Sequence, residues 1–200
     1  AKASIVTCGV DVQDNRVAVG LYAWGEGEES WLLNHFEIFG DPAGKKLWEQ
    51  VDDVIFRSYR KEDGTELKVS ATGIDSGGHF TSEVYAYCRE RAKRGVFALK
   101  GQSQRNKPPI GKPSKVDINY KGQVLKNSAQ VFPAGVDTIK TTLFARLKLN
   151  EEGPGYIHFH AAASPEYFKQ LTSERQVVRY VKGFAIREWK KKPGDRNEAL

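Results

Sequence analysis

Two aspartates stand at the downstream ends of short runs of Val, Ile and Gly: Gly9-Val10-Asp11-Val12 and Gly73-Ile74-Asp75, 64 positions apart. Such runs read as strands, and an ionised carboxylate buried in one without a partner costs several kcal/mol. Each acid must therefore emerge at a sheet end, beside a cation or in water. Two such acids converging on one place would repel, and a divalent cation is the simplest relief. Oxygen ligands select a hard ion, Mg²⁺ or Mn²⁺. Two such ions held by carboxylates can activate a water and stabilise the leaving oxygen in phosphodiester hydrolysis. A plainer role as turn or cap aspartates suits the same residues, and Asp75 ahead of Ser76-Gly77-Gly78 fits it.

The order of elements decides whether the two acids can meet. Residues 4–12 and 17–24 are Val-rich runs separated by Gln13-Asp14-Asn15-Arg16 and read as adjacent antiparallel strands, with a third strand at 30–39. After Asp41-Pro42, the apolar residues Leu47, Trp48, Val51, Val54, Ile55 and Tyr59 mark one face of a helix. A fourth strand ends at Asp75, a helix carries Val84, Tyr85, Cys88 and Ala92 on one side, and a fifth strand spans Val96 to Leu99. Residues 101–130 lose periodicity around Pro108-Pro109, Gly111 and Pro113 and read as a long functional loop, with a hairpin around Lys121-Gly122.

Helical spacing returns at Val136, Ile139, Leu143, Phe144 and Leu147. A strand at Tyr156 to Phe159, a short helix opened by Ser164-Pro165 and a hairpin of 174–181 and 184–190 joined by Lys182-Gly183 follow, and Asn197 to Leu200 reads as a first helical turn. The chain is thus expected to be one α/β domain over residues 1–200: a mixed five-stranded sheet flanked by helices, with an added C-terminal β-hairpin. That element order is the order of the ribonuclease H-like fold. In it the first strand and the end of the fourth lie side by side, so Asp11 and Asp75 would project into one place.

Charge and composition narrow the partners. The chain carries +6 overall, but residues 89–126 hold eleven Lys/Arg against Glu90 and Asp117, a +9 stretch that leaves −3 elsewhere. A basic segment beside a mildly acidic body suits a polyanion-binding protein with a carboxylate metal site. Lys100, at a strand end, is a candidate contact for the scissile phosphate, and Arg105, Lys107, Lys112 and Lys115 for DNA backbone; a solvated loop is the bland alternative.

A third acid is needed, and Glu198 is preferred, with Asp195 beside it; acids in a first helical turn are also common for dipole reasons alone. His79 and His158 are candidate accessory groups, and His158 and His160 alternate along a strand, so they cannot share an ion. Cys8 and Cys88 form no CxxC, which points away from disulfides and zinc and towards a reducing cytosol. No apolar run approaches the roughly 18 residues of a membrane span, and the start lacks the pattern of a secretory signal.

Eight segments in register resemble the C-terminal nuclease part of lambda-like (GpA family) tailed-phage terminase large subunits. They are Gly9-Val10-Asp11-Val12-Gln13, Trp24 to Leu32, Gly40-Asp41-Pro42, Asp75-Ser76-Gly77-Gly78, Lys100-Gly101, His158-Phe159, Leu171-Thr172-Ser173-Glu174 and Arg196-Asn197-Glu198-Ala199-Leu200. The resemblance implies a ribonuclease H-like endonuclease that cuts concatemeric double-stranded phage DNA in the host cell cytoplasm. It would work with a small terminase subunit, the portal protein and an N-terminal ATPase domain of the same longer chain. It also implies that Asp11, Asp75 and Glu198 bind two Mg²⁺ or Mn²⁺ ions, and that the family continues past the Asn-Glu-Ala-Leu run with an Asp and a long helix. No GxxxxGK[ST] run is present, so the motor is expected outside these residues.

From the residues alone, three other readings stay open: a resolvase or transposase on the same fold, an actin-like phosphotransferase, and a non-catalytic DNA-binding or assembly module. The phosphotransferase would require a second such domain to enclose ATP.

Overall fold

The computed structural model describes residues 2–120 and 122–200. In chain order it contains strands β1 (Ile5–Val12), β2 (Arg16–Trp24) and β3 (Ser30–Phe39), helix α1 (Lys45–Ile55), strands β4 (Ser58–Arg60) and β5 (Glu66–Asp75), helix α2 (Thr81–Arg91) and strands β6 (Val96–Gln102), β7 (Ser114–Tyr120) and β8 (Gln123–Gly135). Helix α3 (Val136–Arg146), the short β9 (Ile157–His158), helix α4 (Pro165–Leu171) and strands β10 (Glu174–Val181) and β11 (Phe184–Lys191) complete it.

The main sheet runs β7-β8-β6-β5-β1-β2-β3-β9, with β4 beside β5. The five expected strands form its centre as β3-β2-β1-β5-β6, and among the described residues the sheet has nine strands, because β8 and β7 extend one edge, β9 the other, and β4 pairs with β5. β1, β5, β6 and β8 are parallel, while β2 returns antiparallel to β1.

The alternation in β1 sets the two faces. Val6, Cys8 and Val10 are buried on the face covered by α1 and α2, where Leu47, Trp48, Val51, Ile55, Val84 and Cys88 join them in the main core. Burying an aliphatic side chain of this size contributes about 1.5–3 kcal/mol, so this alternation specifies register: a one-residue slip would expose the entire set. Thr7, Gly9 and Asp11 face the other way. On that second face α4 and α3 pack a smaller core, with Leu32, Tyr167 and Leu171 buried against Tyr22, Leu143, Leu147 and Leu200. Ser164 caps α4 by accepting a hydrogen bond from the Tyr167 amide at 3.1 Å, with Pro165 at its first turn.

The segment expected to be a loop from 101 to 130 is largely strand. β6 reaches Gln102, and β7 and β8 form a hairpin antiparallel to each other, with Ile118, Ala129 and Val131 buried. The period-two alternation Val116, Ile118 outweighs the local Lys and Gly content because it lies over α2. Lys121, in the expected turn, is outside the described residues; among the described ones, 103–113 and the turn residue Gly122 lie outside the strands. The 103–113 stretch is fastened along the end of β8: Gly111 N donates to Pro133 O at 2.8 Å and Gly135 N to Pro109 O at 3.0 Å. The expected final helix is a single turn, in which Leu200 N donates to Asn197 O at 2.9 Å. No helix among the described residues is long and apolar enough to cross a membrane.

Candidate active site

Val10 pairs with Ile74 across the parallel β1/β5 ladder, so Asp11 and Asp75, one position on, stand opposite each other on strands about 4.8 Å apart. Val10 and Ile74 point into the α1/α2 core, which sends both carboxylates to the second face. Gln13 Nε2 donates to Asp11 Oδ2 at 2.7 Å, and the Gly77 amide donates to Asp75 Oδ1 at 3.0 Å. Burial pushes the Asp11 carboxyl above its ordinary range. The Gln13 hydrogen bond opposes that, the negative charges of Asp75 and Glu198 reinforce it, and Arg16 offsets part. The sheet therefore holds like charges in one place at a cost to itself.

Glu198 reaches the same groove but is already engaged. Its carboxylate accepts from Arg16 Nη2 at 2.8 Å and from Arg196, and its side chain is only 7% exposed. Burial alone would raise its titration, but Arg196 and Arg16 override burial and hold it below the usual carboxylate range. Glu37 shares both arginines, accepting from Arg16 Nε at 3.0 Å and from Arg196. His35 lies in the groove with its Nε2 buried and unpartnered among the described residues, and burial, working against Glu37 and Glu198, keeps its imidazole below the usual range.

The groove itself has a volume of about 960 Å³ and runs over the second face from Asp11, Asp75 and Glu198 towards α3. Gly9, Gly20 and Gly73 line it. Small residues there keep the sheet surface open, which is how a backbone-lined face admits a bulky ligand.

The other candidates divide by position. Pro109 and Ile110 line the groove. The loop bearing Arg105, Lys107 and Lys112 thus lies at the end of the sheet where the parallel strands β1, β5 and β8 terminate, the end that carries the two aspartates. Arg105 Nε stands 4.0 Å from Asp137, and Lys107, Lys112 and Lys115 are exposed. Lys100 is at that end too, but Leu99 is level with Asp75, so Lys100 alternates to the opposite face of the sheet.

His79 is exposed beside the β1–β2 turn, with Nδ1 3.0 Å from Asp14 Oδ1. Asp195 sits in the turn after β11, its amide donating to Lys192 O at 3.2 Å, and does not line the groove. His158 is not brought to the aspartates. It lies at the start of β3, the opposite end of that strand from Glu37, stacked on Trp31 with Nε2 2.7 Å from Glu29 Oε1. There the ligand atoms of Glu29, Glu152 and His158 are within 4.8 Å of one another.

Sequence reasoning missed Arg16, His35, Glu37 and Arg196. Arg16 reads as a turn residue, although it opens β2 on the parity of Ala18 and Gly20, whose side of the sheet lines the groove. His35 and Glu37 alternate with Phe36 and Ile38, and that period of two was the available signal.

The family described as terminase large subunit gpA, endonuclease domain, matches residues 1–200. The chain is 32% identical over 208 residues to the terminase large subunit of Escherichia phage lambda, and 33% identical over 210 residues to that of Enterobacteria phage P21. Each alignment covers 100% of this chain and 31% of the relative, so the chain spans about a third of the length of these proteins. On the match across its full length, the chain belongs to the family of gpA terminase large-subunit endonuclease domains.

Proposed function

We propose that this domain is a Mg²⁺- or Mn²⁺-dependent endodeoxyribonuclease that cuts concatemeric double-stranded DNA during phage genome packaging. The observation that carries the reading is the placement of Asp11 and Asp75 on neighbouring parallel strands, facing one groove, with Glu198 near enough to raise the Asp11 carboxyl. This donor set fits hard divalent ions: the atoms are carboxylate oxygens, and their mutual repulsion is only partly offset by Gln13, Arg16 and Arg196. Asp11 and Asp75 would hold the ions, with Glu198 completing the set once released from its arginines. When bound, the ions would lower the pKa of a water and neutralise charge on the leaving oxygen.

The remaining work belongs to the chain. Gln13 and the Gly77 amide orient the two carboxylates. Lys107 and Lys112 draw the phosphate backbone to the end of the sheet that carries the acids, with affinity falling steeply in salt and little dependence on sequence. The terminase relatives extend the reading to an ATPase domain of the same longer chain, a small terminase subunit and the portal protein as partners, in the host cytoplasm.

The test is nicking of supercoiled plasmid in Mg²⁺ or Mn²⁺, compared with EDTA. Asp11→Asn and Asp75→Asn should each lose at least about 100-fold in rate, since either change removes a shared ligand. Nicking that survives both substitutions, or proceeds in EDTA, would refute the mechanism. The engagement of Glu198 by Arg16 and Arg196 favours one second reading, a non-catalytic DNA-binding module of the packaging machine. Metal-independent DNA binding without any nicking would select it.

A further inference from the structure

The β10–β11 hairpin is a two-stranded sheet of its own, outside the nine-stranded one. At its base Trp189 packs on Phe144 of α3 with ring centroids 4.8 Å apart, and Glu174 accepts from Lys140 Nζ at 2.6 Å and from Asn197 Nδ2 at 2.8 Å. Asn197 adjoins Glu198, so the arm is rooted beside the acid cluster. Its two eight-residue strands give it a reach of about 26 Å.

The far half is apolar where water should be. Tyr180 and Phe184 are each 76% exposed and Val178 54%. The register pairs Tyr180 with Ala185 and Val181 with Phe184, so each face of the ribbon carries one aromatic at the tip. Around them residues 174–192 hold seven Lys/Arg against two Glu. Arg175, Lys182, Arg187, Lys191 and Lys192 have no ion-pair partner among the described residues. The turn Lys182-Gly183 has φ of 50° and 82°, both positive, as a tight two-residue hairpin turn requires.

Exposed aromatics beside the unpaired Lys182 and Arg187, with Arg175, Lys191 and Lys192 unpaired towards the base of the arm, fit a polyanion that presents apolar base edges between its charges. A two-stranded ribbon also has the width to enter the major groove of a duplex, about 12 Å across. We infer that β10–β11 is a second DNA-binding element, an arm whose tip enters a groove of duplex DNA, with Arg175, Lys182 and Arg187 on the phosphates and Tyr180 and Phe184, one on each face of the ribbon, inside the groove. The inference rests on the reading that the domain acts on duplex DNA, and it adds an arm that would hold the duplex beside the acid cluster.

Fluorescence anisotropy with a labelled duplex in EDTA, across a salt series, tests it on the full chain. Arg175→Gln/Lys182→Asn/Arg187→Gln keeps the fold, since Asn-Gly is the favoured pair for this turn, and should flatten the plot of log K against log salt by about 2.7. Tyr180→Thr/Phe184→Thr removes apolar surface buried in the groove and should weaken binding at least about five-fold, with the slope unchanged. An unchanged slope in the first variant together with unchanged affinity in the second would overturn the arm, and so would a wild-type chain that binds no duplex. Because no metal is present, the result is separable from the nuclease reading. Arm-dependent binding without nicking sinks the nuclease alone, and metal-dependent nicking with arm-independent binding sinks the arm alone.

Discussion

Replacing Asp11 with Asn should stabilise the metal-free chain and remove its response to Mn²⁺. Two unit charges about 5 Å apart repel by about 3 kcal/mol at an effective dielectric of about 20. Asp75 is exposed, and Gln13 and Arg16 already offset part of the strain on Asp11, so about 1 kcal/mol should survive solvent screening. Asn keeps an oxygen for the Gln13 amide. For a chain of this size the gain is a rise of about 2–4 °C in Tm.

Because the folded Asp11 carboxyl titrates above its unfolded value, ionisation costs stability that sets in as pH rises past about 4 and is complete above the folded value. The advantage of Asn is thus absent at the acid end and full at pH 7.5. Differential scanning fluorimetry at pH 7.5 reads both halves. With Mn²⁺ at about 100 times Kd, the wild type should gain about 2.7 kcal/mol, or about 5–11 °C, and Asp11→Asn almost none. If the variant melts lower than wild type in EDTA, or still climbs with Mn²⁺, the charge argument fails.

Gly135→Ala would place a Cβ 2.4 Å from Pro108 O and 2.7 Å from Lys107 O, both backbone atoms. The variant should lose about 1–3 kcal/mol in urea unfolding and bind duplex DNA more weakly as the basic loop shifts, and a neutral outcome would count against the packing of residues 105–112. Arg16→Gln should cost about 1–2 kcal/mol, less than a fully orphaned buried acid because Arg196 still holds Glu198. A loss below about 0.3 kcal/mol would mean the cluster contributes nothing to folding. The Cys8 and Cys88 thiols are pushed up to about 12 by burial. Iodoacetamide at pH 8 should therefore label neither in the folded chain and both in denaturant, and rapid native labelling would contradict the main core as described.

What was legible in the sequence was whatever local periodicity encodes. The hairpin β1–β2, helix α1, strand β5 and the terminal hairpin at Lys182-Gly183 each carry their pattern within a dozen or so residues, and their joint order implied the meeting of Asp11 and Asp75. The β7–β8 hairpin was underweighted because Pro, Gly and Lys punctuate it, although Val116 and Ile118 alternate with Lys115, Asp117 and Asn119. A bulge at Asp117, whose carboxylate accepts from Asn127 N at 2.7 Å, further blurs the period. The arginine cluster was illegible for a different reason. Arg16 meets Glu37 across 21 positions and Glu198 across 182, and no local rule couples residues so separated. His158 shows the limit of the converse inference: a strand places its side chain on a face, but not at one end of the sheet or the other.

The three acids of the candidate site are held in different ways, and that difference bears on how the site could work. Asp11 and Asp75 are carried by hydrogen-bonded neighbours inside a parallel ladder, so their spacing cannot relax without breaking the sheet. Glu198 is carried by a single turn, two arginines and the packing of Leu200 on the smaller core. Side-chain ion pairs exchange far more readily than sheet register. Arg16 lies between the two arrangements, lowering the titration of Asp11 while gripping Glu198. A guanidinium in that position does in the metal-free chain part of what a divalent ion would do: it offsets the charge of acids that the fold has forced together. On the metal-dependent reading proposed above, the sheet would supply two fixed ligands and the ion-paired segment an adjustable third, while Arg16 and Arg196 offset part of the acids' repulsion.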